Sequence, residues 1–277
     1  MDAKAQSRWD GAVGQVFFAL GVARATPDDG VPGTALISLL SDLGLSESAA
    51  RAAILRLRRH GWLSSTRHGR QTHYAPAPAI LSHQQRLRDH FIAPTPPWEG
   101  AFHGLLYEIP ERDRAFRDRL RRSARLLGYA PLRAGLLVAP TDRSAQLQPL
   151  LRNPPPKARL LPLSIKLAQR DSRRLARDLW ALDALADDYR THTEALRRAV
   201  LKAERSPLAG PRALRAFAAA MQPIYQAIAN DPLVPQELLP ADWPAPELSA
   251  AFQTALQTFA PPAIAYADNL KHHSAAS

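Results

Sequence analysis

Six arginines lie between Arg51 and Arg70, and no carboxylate interrupts the chain between Glu47 and Asp89. A guanidinium group donates paired hydrogen bonds to phosphate oxygens and to the major-groove edge of guanine. A run of arginines without acidic neighbours therefore has the chemistry of a surface that binds duplex DNA. The alternative interpretation is a solvated amphipathic helix followed by a surface hairpin.

A helix is predicted to position the first four of these arginines. Ser46 can cap its first turn, and Gly61 can take the left-handed conformation that ends it. Ala50, Ile54 and Leu57 recur at helical spacing, so they share one face that packs on a core. The opposite face is predicted to enter the major groove. Five residues face or flank that groove: Ser48, Arg51, Ala52, Arg56 and Arg59.

A short hairpin is predicted to follow the helix, with strands at 62–66 and 71–75 and Gly69 in its turn. Arginines at the tip of such a hairpin contact phosphates or a narrow minor groove. Helices at 13–23 and 34–43 come before this pair, so the order of elements is that of a winged helix-turn-helix. Four residues are assigned to its wing: Arg67, His68, Arg70 and Gln71.

The middle of the chain is predicted to form a small ferredoxin-like β-α-β domain. Its helix at 111–127 is apolar on one face and arginine-rich on the other. Three extended segments alternate with two helices, in the order β-α-β-α-β. The predicted strands lie at 98–109, 132–139 and 158–167, and the predicted helices at 111–127 and 144–151.

The middle segment is also similar to the small CRISPR-adaptation nucleases, which carry a tyrosine–acid pair at the end of their first strand. Tyr107 and Glu108 occupy that place here. This resemblance makes a metal-dependent nuclease the alternative function, with Glu108 as a metal ligand. One carboxylate is a poor magnesium site by itself. We therefore expect Glu108 to cap the following helix or to pair with one of its arginines, and we predict that the protein is not an enzyme.

Composition excludes several classes of site. The 277 residues include no cysteine, which rules out disulfides, thiolate metal sites and cysteine nucleophiles. No HExxH, P-loop or GxGxxG motif is present, so we predict neither a metal nor a cofactor. No apolar run is long enough to span a membrane, and we expect a cytoplasmic protein.

The net charge of +11 is distributed unevenly. Residues 1–75 have a net charge of +3, residues 76–168 have +8, and residues 169–277 have zero. This asymmetry favours a part of the chain that faces a polyanion and a separate part with another role. An arginine-rich solvated surface is the alternative.

The last third is predicted to be helical, interrupted at 231–244 by four prolines in a packed irregular loop. Its aromatic side chains can line a pocket for a small aromatic ligand, although each also fits an ordinary core. Six residues are predicted to bind such an effector: Trp180, Tyr189, Arg212, Arg215, Tyr225 and Trp243. The predicted domains are a winged helix-turn-helix at 1–80, a linker helix at 81–97, the ferredoxin-like domain at 98–168 and the helical domain at 169–277.

Several sequence pieces in fixed order resemble the PaaX-type regulators, the phenylacetic-acid catabolon repressor family. They are residues 33–74, Trp98 with Gly100, GYAPLRAGLLVAP at 128–140 and DPLVPQELLPADW at 231–243. The resemblance covers roughly residues 10–270. It implies a repressor of a catabolic operon, such as one for phenylacetate, that forms a homodimer through its central domain. The two-fold symmetry of such a dimer predicts a pseudo-palindromic operator. The resemblance also implies release from DNA by an aryl-acyl-CoA or a related aromatic acid.

Two departures from that family concern the effector. Members carry a basic dipeptide in the helix before the DP motif, whereas this chain has 221–226 without a basic residue. The Trp-Pro-Gly end of the motif is Trp243-Pro244-Ala245 here. Because a CoA site needs cations for its phosphates, Arg212 and Arg215 are the nearest substitutes.

Overall fold

The computed structural model describes residues 11–77, 97–229 and 231–275, and it shows a mixed α+β protein. The predicted linker helix at 81–97 falls almost entirely outside the described residues. The chain divides into two compact units. The first unit comprises the described parts of Met1–Asp89, Arg190–Ala227 and Pro246–Ser277, and the second those of His90–Tyr189 and Ile228–Ala245. Both units draw on separated segments, and the four consecutive domain ranges above stay a prediction.

The N-terminal part of the first unit consists of three helices and a three-stranded antiparallel sheet in the order β1-β3-β2. The elements are α1 (Ala12–Val22), β1 (Val31–Pro32), α2 (Gly33–Asp42), α3 (Glu47–Arg59), β2 (Leu63–His68) and β3 (Gln71–Pro76). The three helices pack on one another through apolar faces at helical spacing. Leu20 of α1, Leu36 and Leu40 of α2 and Leu57 of α3 are almost completely buried there.

The second unit contains a four-stranded antiparallel sheet in the order β5-β6-β4-β7. Its elements are β4 (Phe102–Glu108), α4 (Arg114–Leu126), β5 (Ala130–Arg133), β6 (Leu136–Ala139), α5 (Ser144–Leu151), β7 (Arg159–Ile165) and α6 (Gln169–Leu179). Through β7 the chain therefore runs β-α-β-β-α-β, with one strand more than the sequence predicts.

The additional strand arises because the predicted strand at 132–139 is a hairpin. Gly135 has a φ of +79°, which turns the chain between β5 and β6, and its carbonyl accepts a 2.7 Å hydrogen bond from the backbone of Tyr107. The predicted strand at 98–109 is also too long, because β4 begins at Phe102. Before it, the Trp98 indole donates to the carbonyl of Ala101 at 3.1 Å.

The sheet of the second unit packs on both of its faces. One face buries Leu105 and Leu137 against Leu120 of α4 and Leu147 of α5. The other face buries Phe102 among Ala176, Leu182, Val234 and Leu238. The proline-rich segment at 231–244 thus supplies two core residues, Val234 and Leu238, as a packed loop must. A short 3₁₀ turn at Gln236–Leu238 satisfies part of its backbone.

The remaining helices are α7 (Leu182–Glu204), α8 (Gly210–Ala229) and α9 (Ala245–Ala275). From Arg190 onward α7 belongs to the first unit, as do nearly all of α8 and α9. There, Phe217 of α8 contacts Phe18 of α1 at a ring distance of 5.2 Å. None of the helices in the described ranges is long and apolar enough to cross a membrane.

Candidate nucleic-acid interface

Helix α3 separates a buried face from a basic exposed face. Ala50, Ile54 and Leu57 are 0%, 5% and 1% exposed, and they pack toward α1 and α2. The Ser46 hydroxyl accepts a 3.2 Å hydrogen bond from the backbone of Ala49, which is the predicted cap. The five predicted groove-facing residues are all exposed: Ser48, Arg51, Ala52, Arg56 and Arg59.

The arginines of α3 differ in what they contact. Both Nε and Nη2 of Arg51 donate to the Glu47 carboxylate one turn earlier, at 2.9 and 2.6 Å. Arg56 and Arg59 form no ion pair with any residue that the structure describes. Arg58, which the sequence prediction leaves out, is exposed on the flank of the same helix. An anion can therefore reach Arg56 and Arg59 directly, whereas at Arg51 it must compete with Glu47.

The hairpin that follows has a two-residue tip, Gly69-Arg70, between His68 and Gln71. Arg67, His68 and Arg70 are exposed, and Arg67 Nε donates to the carbonyl of Gly69 at 3.2 Å. The His68 ring lies 4.4 Å from that of His73 in β3. The tip is thus stiffened by contacts within the hairpin, while the guanidinium of Arg70 remains open to solvent.

Gln71, a predicted wing residue, has a contact far along the chain. It is half-buried, and its side-chain amide donates a hydrogen bond to the backbone carbonyl of Ser274 near the end of α9. Gln71 therefore links the tip end of the hairpin to a C-terminal helix. Local sequence contains no signal for such a pair.

Three of the predicted effector residues lie in the second unit and have structural partners there. Trp180 is half-buried, stacks near Phe102 and donates to the carbonyl of Gly128 at 3.0 Å. Tyr189 is completely buried, and its hydroxyl donates to the Asp231 carboxylate. Burial, reinforced by the Asp231 charge, raises the pKa of Tyr189. The Trp243 ring lies 5.6 Å from that of Tyr189.

The other three lie in the first unit. Arg212 is exposed and donates to the Ser206 hydroxyl at 3.4 Å, and Arg215 donates to the backbone carbonyl of Asp42 at 3.3 Å. Tyr225 meets Phe252 edge-on at a ring distance of 6.1 Å. The six predicted effector residues are therefore divided between two units and do not form one cluster within either.

A cavity of about 260 Å³ lies elsewhere in the second unit, and none of the six lines it. Its polar lining includes His103 of β4 and Asp142 before α5. A backbone hydrogen bond from Ser144 holds the pKa of Asp142 below its usual range, with smaller contributions from the Ser144 side chain and His103. His103 Nε2 lies 3.3 Å from the Glu99 carboxylate. These residues come from separate segments, so their spacing in the sequence does not reveal the cavity.

Glu108, the predicted nuclease residue, is exposed at the end of β4. It lies opposite Arg159 in the pairing of β4 with β7. No ion pair joins it to an α4 arginine within the described ranges. Across those ranges, no group of three or more histidine, aspartate and glutamate side chains could hold a metal ion.

Comparison with known families gives three matches in order along the chain. A model described as PaaX-like protein matches residues 16–77. The PaaX protein central Cas2-like domain matches residues 95–173, and the PaaX-like protein C-terminal domain matches residues 180–269. The matches agree in order and position with the resemblance noted from the sequence.

Two individual proteins are similar over most of the chain. The transcriptional repressor PaaX of Escherichia coli (strain K12) is 26% identical over 238 residues, which is 83% of this chain and 75% of that protein. A solved structure of an uncharacterized protein from Mycobacterium tuberculosis is 25% identical with a TM-score of 0.55, covering 94% of this chain and 98% of the other.

Proposed function

The chain belongs to the PaaX-type family of regulators, and on that premise we propose that it is a DNA-binding transcriptional repressor. The observation that carries the proposal is the two-sided α3 with its adjacent basic hairpin. Ile54 and Leu57 fix the helix to α1 and α2, so Arg56 and Arg59 project from a rigid support. Such a support lets arginines reach base edges without a further loss of backbone conformational entropy.

In this proposal the first unit contains a winged helix-turn-helix. Helix α2 and the recognition helix α3 are joined by a short turn at Gly44, and the hairpin of β2 and β3 is the wing. The recognition helix lies in the major groove, with the tip at Arg70 against the backbone or the minor groove. A repressor works at the chromosome, which places the protein in the cytoplasm.

The second unit is proposed to be the dimerisation domain. Its β-α-β-β-α-β order and the strand order β5-β6-β4-β7 support a ferredoxin-like fold. A two-fold homodimer presents two recognition helices and so requires a pseudo-palindromic operator. Its half-sites are expected about one helical turn apart, roughly 34 Å, or a multiple of that distance.

Binding of an aryl-acyl-CoA or an aromatic acid is proposed to release the repressor from its operator. Membership of the family supports this proposal more strongly than the positions of the six predicted effector residues do. Tyr189 and Trp180 have structural roles within the second unit. The effector assignment is therefore tested separately from DNA binding.

Selection from sheared genomic DNA, followed by fluorescence anisotropy on the recovered fragments, tests the repressor proposal. We expect one class of fragments to bind far more tightly than the rest. Arg56→Gln is expected to weaken that binding about 5- to 150-fold if Arg56 contacts a base. Arg197→Gln, an exposed position on α7 in the same unit, is the matched control and should bind as the wild type does. Equal affinity for all fragments would contradict the proposal.

Thermal shift and operator release with phenylacetyl-CoA, free CoA and phenylacetate test the effector. We expect the thioester to raise the melting temperature and to dissociate the operator complex, with free CoA as the control for headgroup binding alone. If no compound changes either signal while operator binding is intact, the effector proposal is wrong and the DNA-binding proposal stands.

A further inference from the structure

Helix α4 of the second unit has a strongly basic outward side that does not belong to the DNA-reading elements described above. The helix contains six arginines and one carboxylate, Asp118. Its apolar residues Phe116, Leu120 and Ala124 are buried. The helical repeat places the remaining arginines away from that stripe. Four exposed residues make up what we call the arginine face: Arg119, Arg121, Arg122 and Arg125.

The arginine face has no acidic partners among the described residues. Two other arginines of the helix are paired, Arg114 with Asp118 at 3.7 Å and Arg117 with Glu111 at 2.8 Å. No carboxylate in the described ranges lies within 4.0 Å of the four members of the arginine face. Arg119 instead lies 5.3 Å from the Phe116 ring centroid. Because like charges one turn apart destabilise a helix, this arrangement favours an external anion.

On helix α6, in the same unit, exposed arginines do bond to other groups of the protein. It has four arginines and two aspartates. Arg177 is bonded to the Asp183 carboxylate at 2.8 and 2.9 Å, and Arg173 donates to the carbonyl of Glu237 at 2.8 Å. Half of its arginines thus have a structural partner, whereas Arg121, Arg122 and Arg125 have none within the described ranges.

We propose that the arginine face binds the phosphate backbone of duplex DNA without reading its sequence. This inference rests on the proposed function, because it adds a second contact to the same kind of ligand. Arg121 and Arg125 are one turn apart, about 5–6 Å between their Cβ atoms. Duplex DNA carries about one negative charge per 1.7 Å along its axis. Phosphates are therefore dense enough for two arginines one turn apart to contact separate phosphate groups. The guanidinium fork fits a phosphate in bidentate geometry.

A duplex is a better fit to this surface than a membrane. A helix that lies on a membrane needs large apolar side chains free to enter the lipid. In α4 those side chains are Phe116 and Leu120, and both are buried in the protein. The exposed side offers guanidinium groups and small residues, which is the composition of a backbone contact rather than of a lipid anchor.

The test measures the salt dependence of binding to a 30-base-pair duplex of random sequence, by anisotropy across a series of NaCl concentrations. The variant is Arg121→Gln/Arg125→Gln. Glutamine keeps the helix propensity and most of the length of arginine. If both arginines contact phosphates, the slope of log K against log salt becomes shallower by about 1.8. Arg121→Lys/Arg125→Lys keeps the charges and should retain most of the wild-type slope.

The matched control is Arg170→Gln/Arg174→Gln on α6, which removes the same charge from the same unit at the same helical spacing. Its slope should equal that of the wild type. An unchanged slope in the α4 variant, or an equal change in both variants, would overturn the inference. So would binding of phosphatidylserine vesicles that depends on the α4 arginines while DNA binding does not.

Failure of this inference and failure of the proposed function give different results. If the wild type selects an operator and the α4 variant keeps the wild-type slope, only the inference is wrong. If the wild type binds all duplexes equally and the α4 variant shows the shallower slope, the arginine face binds DNA and the repressor proposal is wrong.

Discussion

The phenol of Tyr266 donates a 2.6 Å hydrogen bond to the carboxylate of Asp42, 224 residues earlier in the chain. Asp42 ends α2, and its backbone carbonyl accepts a hydrogen bond from Arg215 of α8. Nearby, Arg24 pairs with Asp268 of α9. The C-terminal helices are thereby bonded to the helices that support α3, so they contribute to the rigidity of the proposed DNA-binding surface.

Removal of the Tyr266 hydroxyl is expected to destabilise the first unit. Tyr266→Phe leaves the Asp42 carboxylate without this donor, and because the site is partly exposed we expect a loss of about 1 kcal/mol in the free energy of unfolding. Thr258→Ala is the control on the same helix, since the Thr258 hydroxyl bonds the Thr254 carbonyl within α9. Urea unfolding measures both. An equal loss in the two variants would contradict a specific role for the Tyr266–Asp42 bond.

The same pair predicts a dependence of stability on alkaline pH. Burial, together with the hydrogen bond to Asp42 and its charge, raises the pKa of Tyr266 to about 12 from its ordinary 10. Because the folded state keeps the proton longer, the stabilisation is complete below pH 10 and is lost as the pH rises toward 12. The difference in urea midpoint between wild type and Tyr266→Phe should shrink over that interval. A difference that stays constant from pH 9 to 12 would show that the phenol does not titrate in this way.

Two leucines of α3 are expected to lose very different amounts of stability on substitution by alanine. Leu57 is 1% exposed, so Leu57→Ala creates a cavity and should cost about 2–5 kcal/mol of stability. Leu55 is 45% exposed on the side that we propose faces the groove, and Leu55→Ala should cost about 0.5 kcal/mol or less. If Leu55 contacts a thymine methyl group, its loss lowers operator selectivity instead. Similar destabilisation by both variants would mean that α3 is oriented differently.

Gly128 and Gly61 provide a test of the contact between the proline-rich loop and the second unit. Both have positive φ values, +83° and +68°. Alanine at either position is strained by about 1–2 kcal/mol. At Gly128 the new Cβ also comes within 2.9 Å of the carbonyl oxygen of Pro232, whereas at Gly61 nothing lies within 4 Å. Gly128→Ala should therefore cost a further ~1–3 kcal/mol in urea unfolding. Equal costs would indicate that the loop is not held against Gly128.

Local sequence was sufficient for α3 because everything that defines this helix lies within sixteen residues. The Ser46 cap bonds Ala49, and the spacing of Ala50, Ile54 and Leu57 predicts which side is buried. The end at Gly61 follows from its left-handed backbone. Capping and periodicity act over one or two turns, so they can be recognised without knowing the rest of the fold.

The middle sheet was predicted less well for a reason that is also local. The segment 132–139 is apolar almost throughout, and an apolar run does not show whether it is one strand or two. Gly135 was the available signal, because an isolated glycine in a strand pattern marks a bend. In the structure Gly135 takes a positive φ at this bend, and its carbonyl accepts a hydrogen bond from the Tyr107 backbone.

The sequence by itself determined the family resemblance, the α+β class and the basic surface of α3 and its hairpin, since these depend on residue types and short spacings. Only the tertiary structure decided which helices share a unit. An apolar stripe shows that a helix buries one face, but it does not show against which partner. The pairs Tyr266–Asp42 and Gln71–Ser274 join residues more than two hundred positions apart, and the loop at 231–244 joins the second unit instead of its helical neighbours. Contacts of this kind form by shape and hydrogen bonding between surfaces, which leave no periodicity along the chain.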